Sequence, residues 1–333
     1  MLWTGSDIAR PPAPKPEPGG RARPIVLPVV DCRAEPFTAL VASWNVDLPP
    51  GSVLSPAVRV RVAGRWSAWN TLAHWGSGPD PNTGEPLPRS LGTTADTPGP
   101  AWIDIDTLKV KDGRTADAFQ MRLWLRGGPA GAPRVRLLAV ATRPAAPSPV
   151  PAPPDDDRPP IRLPVPARSQ RVEDPTIAGD ICSPTSVAMV LAFYGIDRPT
   201  AEVARGVFDH GAGIYGNWPF NTAYAATANL RALVRYFGAL EEVEAELRAG
   251  RPVILSLAWE PGELPEAPIP RSAGHLIVAT GVDERGDFCV NDPAADPRLG
   301  QPIARVYGRA HLARAFLDRG GVGYLLAPDA PAA

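Results

Sequence analysis

Hydrophobic and polar positions alternate with a period of two through much of the first half of the chain. In the stretch AVRVRVAG, Val58, Val60 and Val62 alternate with Arg59 and Arg61, the pattern of a strand with one face in the core and one in solvent. FQMRLWLR (Phe119 to Arg126) and RVRLLAVAT (Arg134 to Thr142) alternate less strictly, and FTALVASW, GRWSAWNTL and AWIDIDTL are further β-rich runs between Gly, Pro and Asp turns. Six or more short strands of this kind over 25–143 predict an all-β sandwich or jelly roll.

The period changes after residue 167. Pro184 to Tyr194 predicts a helix stopped by Gly195, and its run VAMVLAFY is apolar on nearly every side, so it should be buried. Further helices are expected from Thr200, from Asn221 to Phe237, over LEEVEAELRAG, and near 309–317. Apolar runs at 252–259, 275–283, 287–293 and 323–328 predict strands. Helices followed by closely spaced strands predict an α+β domain over 167–333.

Composition sets the boundaries. The chain of 333 residues holds 43 prolines, well above the usual frequency of about 5%. They cluster in residues 1–24, expected to be a disordered Pro-rich tail, and in 144–166, where ten prolines and the run Asp155, Asp156, Asp157 predict a semi-rigid linker. The formal net charge of −1 gives no electrostatic reason for nucleic acid as a partner. No stretch is apolar for long enough to span a membrane as a helix. No apolar signal-peptide core precedes the β-rich region, so localisation is left open by the residues.

The β-rich region carries Trp44, Trp66, Trp69, Trp75, Trp102 and Trp124. Such aromatics fill sandwich cores and rims, and they also suit stacking against sugar rings, so glycan contact by this domain stays an alternative. His74 and Asp80 flank a turn-rich loop without metal-ligand spacing, and a solvated loop is expected there. No metal and no cofactor is called for anywhere in the chain.

The chemistry concentrates in the C-terminal half. Cys182 precedes Pro184 at the mouth of the apolar helix, where the helix dipole and free N–H groups favour a thiolate and can receive an oxyanion. Of the four histidines, His275 opens a strand after the loop Ser272, Ala273, Gly274. A hairpin around Glu284–Gly286 would bring Asp292 beside it, to accept the Nδ1–H and fix the tautomer. Gln170 offers a side-chain amide as a second oxyanion donor. Asn217, Trp218 and Trp259 lie in or beside rigid loops that suit the walls of a substrate cleft, and plain packing suits Trp218 and Trp259 equally well.

ICSPTSVAMVLAFYG resembles the nucleophile segment of the bacteriocin-processing-type cysteine peptidases (peptidase family thirty-nine of the cysteine peptidases), within the papain-like superfamily. GHLIVATGVDERGDFCVNDPA resembles their His segment and the Asp-Pro that follows. The resemblance spans about 165–328. It implies a papain-like α+β peptidase domain with Cys182 as nucleophile, His275 as base and acid, Asp292 as orienting residue and Gln170 as oxyanion donor. It also implies a protein, peptide or cell-wall-type substrate and an extracellular or cell-surface setting. The family's Cys-Gly-Pro is here Cys182-Ser183-Pro184, which puts a side chain next to the site. With no transporter or ATPase segment in the chain, a double-glycine preference is not implied. The expectation is thus a multidomain, thiol-dependent peptidase or amidase. A catalytically silent peptidase-like binding protein, or an acyl transferase on the same scaffold, are the alternatives.

Overall fold

The alternating stretches of the first half pair as antiparallel ladders. In the computed structural model, which describes residues 1–4, 24–128, 130–131, 133–146 and 159–329, strand Phe37–Asp47 runs against Arg134–Pro144, and Val53–Val62 runs against Ala116–Arg126. A single pair, Ala116 and Phe37, links the two ladders. Period-two patterning decides which way the side chains face: Val58, Val60, Met121 and Leu123 are fully enclosed, while Arg59, Arg61, Gln120 and Arg122 stay partly exposed. Each enclosed side chain of this size stabilises the fold by about 1.5–3 kcal/mol.

These ladders belong to one of two compact units, formed by 1–146 together with 208–223; the other comprises 147–207 and 224–333. The inclusion of 208–223 in the β-rich unit was not legible in the hydrophobic pattern. Asp209, fully buried, explains it: its Oδ1 accepts the Ser90 N–H at 2.8 Å. The His210 N–H donates to the Pro88 carbonyl at 3.0 Å. Phe220 packs against Trp75 with ring centroids 5.3 Å apart and against Trp44 at 6.3 Å. Trp44 and Trp75 are therefore core residues. Asp80, expected in a solvated loop, is 3% exposed and pairs with Arg126 at 2.5 Å, so that loop is anchored.

The tail expectation is corrected at its start. Leu2–Thr4 pairs with Leu137–Ala139, and the Met1 amine donates to the Val140 carbonyl at 2.9 Å. The proline-free opening residues can donate to a sheet edge, as prolines cannot. The proline-rich tail over 5–23 and the linker core over 147–158 lie outside the described residues.

The second unit is α+β. Its antiparallel sheet runs in the order Leu230–Tyr236, Val322–Pro328, Val253–Trp259, Ser272–Val282, Phe288–Asn291, Ala304–Tyr307. The expected helix over Asn221–Phe237 is instead a helix over Trp218–Ala226 and the strand Leu230–Tyr236. Asn217 caps that helix, its Oδ1 accepting the Phe220 N–H at 3.0 Å. Asn229, at φ 59°, breaks the helical path. Beyond it, Leu230, Ala232 and Val234 face inward while Arg231 and Arg235 face out, and two-residue alternation prevails over helix propensity. The edge strand Ala304–Tyr307 escaped the pattern because Tyr307 alone of its four residues is buried, so it carries no apolar run.

The sheet's core is built from Val253, Leu255, Leu257, Ile277, Val290 and Phe316 with their neighbours. Gly281 permits a close crossing: a Cβ there would stand 2.1 Å from the Ile161 carbonyl oxygen. Among the described residues no helix is long and apolar enough to cross a membrane.

Candidate active site

Helix Cys182–Phe193 is buried from Ser183 through Leu191, as its all-round apolar sequence requires. Its first turn starts at Cys182, and the preceding Ile181 supplies no side-chain cap. Among the described residues no side chain caps the opening N–H groups, which leaves positive potential beside the sulfur.

Ser186, one turn along on the same helix face, fixes this helix against strand Ser272–Val282. Its hydroxyl donates to the Leu276 carbonyl at 3.1 Å. The Leu276 N–H in turn donates to the Cys182 sulfur. Leu276, the residue after His275, thus holds both the helix and its cysteine in register through its two backbone groups. Ser183 turns inward, is fully buried and shares a 3.0 Å hydrogen bond with the Tyr324 hydroxyl, so the Cys-Ser-Pro sequence does not crowd Cys182.

The hairpin brings Asp292 to His275 as anticipated. Asn291 pairs with Val278, and Asp292 follows it directly. His275 Nε2–H donates to Asp292 Oδ1 at 2.7 Å. The expected use of Nδ1 is thereby corrected: with Nε2 committed to the carboxylate, Nδ1 is the ring nitrogen left for the Cys182 sulfur, with which His275 is hydrogen-bonded. His275 is 3% exposed and Asp292 is fully buried, while Cys182 is half-buried.

Asp292 is held at both oxygens. Oδ1 also accepts the Ala294 N–H at 2.8 Å, and Oδ2 accepts the Tyr307 hydroxyl. Tyr307 is fully buried and was not singled out from the sequence; nothing in its local run, ARVYG, distinguishes it from a core tyrosine.

The electrostatics follow from these contacts. Burial pushes the Cys182 thiol up, but the His275 hydrogen bond and charge, with the Leu276 N–H, outweigh it and hold the thiol below its ordinary range. Burial pulls His275 down, yet the Asp292 carboxylate and the Cys182 sulfur prevail and push it up to about 10. Burial works against the Asp292 charge too, and His275 with Tyr307 keeps it below the usual carboxylate range. The other two thiols differ: burial, with Asp31, raises Cys32, and burial raises Cys289.

The remaining candidates fall elsewhere. Gln170 is 1% exposed, and its amide nitrogen donates to the carbonyls of Ala178 at 2.8 Å and Gly179 at 3.2 Å. Its backbone N–H donates to Pro293 at 2.9 Å. Gln170 therefore braces the segment before Cys182 against the turn after Asp292, and its amide is engaged rather than free for an oxyanion. Trp259 is 1% exposed in the core, its ring edge-on to His275 at 5.8 Å, so it shields the imidazole instead of lining a cleft. Asn217 is buried, its amide donating to Asp209 Oδ2 at 2.9 Å, and it belongs with Trp218 to the β-rich unit. The Trp218 N–H is spent on Asp106 Oδ2 at 2.7 Å.

Residues 162–321 match the model of the Peptidase_C39 like family, and residues 26–143 match that of the Peptidase C39 N-terminal domain. No curated protein matches the chain. Among solved structures, the chain is similar to a protein described as a C39-like peptidase from Bacillus anthracis. The identity is 18%, over 52% of this chain and 100% of that one, with a TM-score of 0.40. A double glycine motif protease from an AMS/PCAT transporter, solved with its leader peptide, matches at 21% identity over 51% of this chain and 97% of that one, TM-score 0.34. The peptidase domain of Streptococcus ComA, a bi-functional ABC transporter, matches at 15% identity over 45% and 93%, TM-score 0.32. With both regions matched in sequence order, the chain belongs to the C39-like peptidase family, with a C39 N-terminal domain preceding its peptidase-like domain.

Proposed function

We propose that this protein is a thiol-dependent hydrolase, a peptidase or amidase, acting through Cys182, His275 and Asp292 on a papain-like domain. The observation that carries the reading is the buried His275–Asp292 pair hydrogen-bonded to the half-buried Cys182 at an uncapped helix N-terminus. The N-terminal β-rich domain and the C-terminal hydrolase domain are functional divisions within the same proposal.

In this mechanism the Cys182 thiolate attacks the carbonyl carbon of a protein, peptide or cell-wall-type amide. The carbonyl π electrons move onto oxygen, where the Cys182 N–H stabilises the oxyanion. As the tetrahedral intermediate collapses, His275 gives its Nδ1 proton to the departing amine and the C–N bond breaks. The neutral imidazole then takes a proton from water, whose oxygen attacks the thioester. Collapse expels the Cys182 thiolate and releases the acid. Asp292 keeps the ring oriented and stabilises the imidazolium throughout. Gln170 positions the segment before Cys182.

A panel of fluorogenic peptide amides, isopeptides and peptidoglycan-type amides tests this, with wild type compared to Cys182→Ala. Hydrolysis of at least one class that vanishes in the variant and after iodoacetamide treatment is the expected outcome. A folded wild type that turns over none of them, with or without an added amine acceptor, would point to a silent binding scaffold instead.

A further inference from the structure

The outward face of the paired strands Val53–Val62 and Ala116–Arg126 carries Arg59 and Arg61 on one strand and Arg122 and Arg126 on the other. The register sets Arg59 opposite Gln120 and Arg122 opposite Ala57. Their counter-charges are unevenly supplied. Arg61 pairs with Asp117 at 2.7 Å, and Arg126 pairs with Asp80. Arg59 directs Nε and Nη2 at the neutral amide oxygen of Gln120, at 2.9 and 2.6 Å. The Arg122 guanidinium has no ion pair or hydrogen bond among the described residues, and its Nε is buried without an acceptor.

Two tryptophans hold these guanidinium groups in place. Arg59 lies 4.7 Å from the Trp66 ring centroid and 4.8 Å from that of Trp69, and Arg122 lies 4.6 Å from Trp69. The result is a ladder, Trp66–Arg59–Trp69–Arg122, whose rings attract the cations without supplying negative charge. Burial, together with the adjacent Arg59 charge, draws Arg122 below the usual guanidinium range. Two like charges share a surface with unspent N–H donors, while the arginines on either side each have a carboxylate. Arg59, Trp66, Trp69 and Arg122 are each partly exposed as residues, so this face is open to a ligand although the Arg122 Nε itself is buried.

We propose that this ladder is a binding site for the oxyanion of an acidic ligand, a carboxylate or phosphate group. Planar guanidinium donors suit two-point reception of such a group, and stacking on tryptophan fixes their orientation before the ligand arrives. The site lies within the β-rich unit and uses none of the residues of the Cys182 site.

Calorimetric titration of the full chain with inorganic phosphate, trigalacturonate and the uncharged maltotriose tests the proposal. At least one anion should bind saturably, more weakly as salt rises from about 50 to about 500 mM. Tighter binding of phosphate would assign the natural ligand to phosphates, and tighter binding of trigalacturonate to carboxylated saccharides. Arg122→Gln should weaken the preferred anion by about tenfold or more. Arg61→Gln, which removes an arginine already paired, should leave it within about twofold. If Arg122→Gln does not fold, Arg59→Gln replaces it with the same expected loss. Absence of anion binding up to about 10 mM, equal binding of maltotriose, or unchanged affinity in the folded Arg122→Gln or Arg59→Gln variant would overturn the proposal.

Discussion

Removing the Tyr307 hydroxyl probes the Asp292 cradle with a single atom. Among the described residues, Tyr307 is the sole donor to Asp292 Oδ2, while His275 and Ala294 serve Oδ1. Asp292 is fully buried, so in Tyr307→Phe no solvent replaces the lost donor. A hydrogen bond to a charged group contributes about 1.5–3 kcal/mol, and about 2 kcal/mol corresponds to about one and a half pKa units. The sign follows from the depressed folded pKa of Asp292. Its contribution is present above the unfolded value of about 3.9 and is lost as pH falls through the folded value. Tyr307→Phe should therefore lose about 2 kcal/mol at pH 7, and the gap to wild type should narrow under acid. Urea unfolding of both proteins at pH 7 and at decreasing pH, followed through the transition of the α+β unit, measures this. Equal stability at pH 7, or a deficit that stays constant into acid, would refute the reasoning.

The remaining predictions bear on the thiol, the β-rich unit and the Cys-Ser-Pro departure. With Cys182 lowered and His275 raised to about 10, amide hydrolysis should rise through the depressed thiol pKa and fall on an alkaline limb near 10 as the imidazolium loses its proton. Alkylation of Cys182 should show no such alkaline fall, and a hydrolysis limb at the ordinary histidine value would contradict the assignment. Asp209→Ala removes the acceptor for Ser90, Gly211 and Ala212 N–H groups and for Asn217. Differential scanning calorimetry should show the β-rich unit destabilised by about 3 kcal/mol or more. Ser183→Gly should cost stability of about 1 kcal/mol plus a small backbone-entropy penalty, from loss of the Tyr324 contact. It should leave the Cys182 alkylation rate unchanged, because the hydroxyl faces the core.

The sequence was most informative where patterning and local chemistry pointed the same way. Val58, Val60 and Val62 declared their inward face, and Cys182 before an apolar run declared a buried helix with its thiol at the mouth. The hairpin linking His275 to Asp292 followed from a short turn between two apolar runs. What stayed hidden depended on long-range geometry. Tyr307 reaches Asp292 only after its strand docks, and Gln170 meets Ala178 and Gly179 only once the preceding segment folds back. Trp259 ends the expected strand over 252–259 and opens the Pro-rich loop after it, and only the packing of the sheet decides that its ring is buried rather than lining a cleft. The choice of imidazole nitrogen could not be read from spacing either, since ring rotation alone decides it. Residues 208–223 appear continuous with their flanks in sequence, and only the buried Asp209 and Phe220 reveal that they pack with the β-rich unit.

The central claim is that His275 and Asp292 hold Cys182 as a thiolate. Timed iodoacetamide labelling at pH 6, with each cysteine quantified by peptide mass spectrometry in wild type and in His275→Ala, tests it most directly. Cys182 should be alkylated well ahead of Cys32 and Cys289, whose thiols are pushed up, and the His275→Ala substitution should abolish that lead. Labelling of Cys182 no faster than Cys32 in the folded wild type, or an undiminished lead in His275→Ala, would contradict the account.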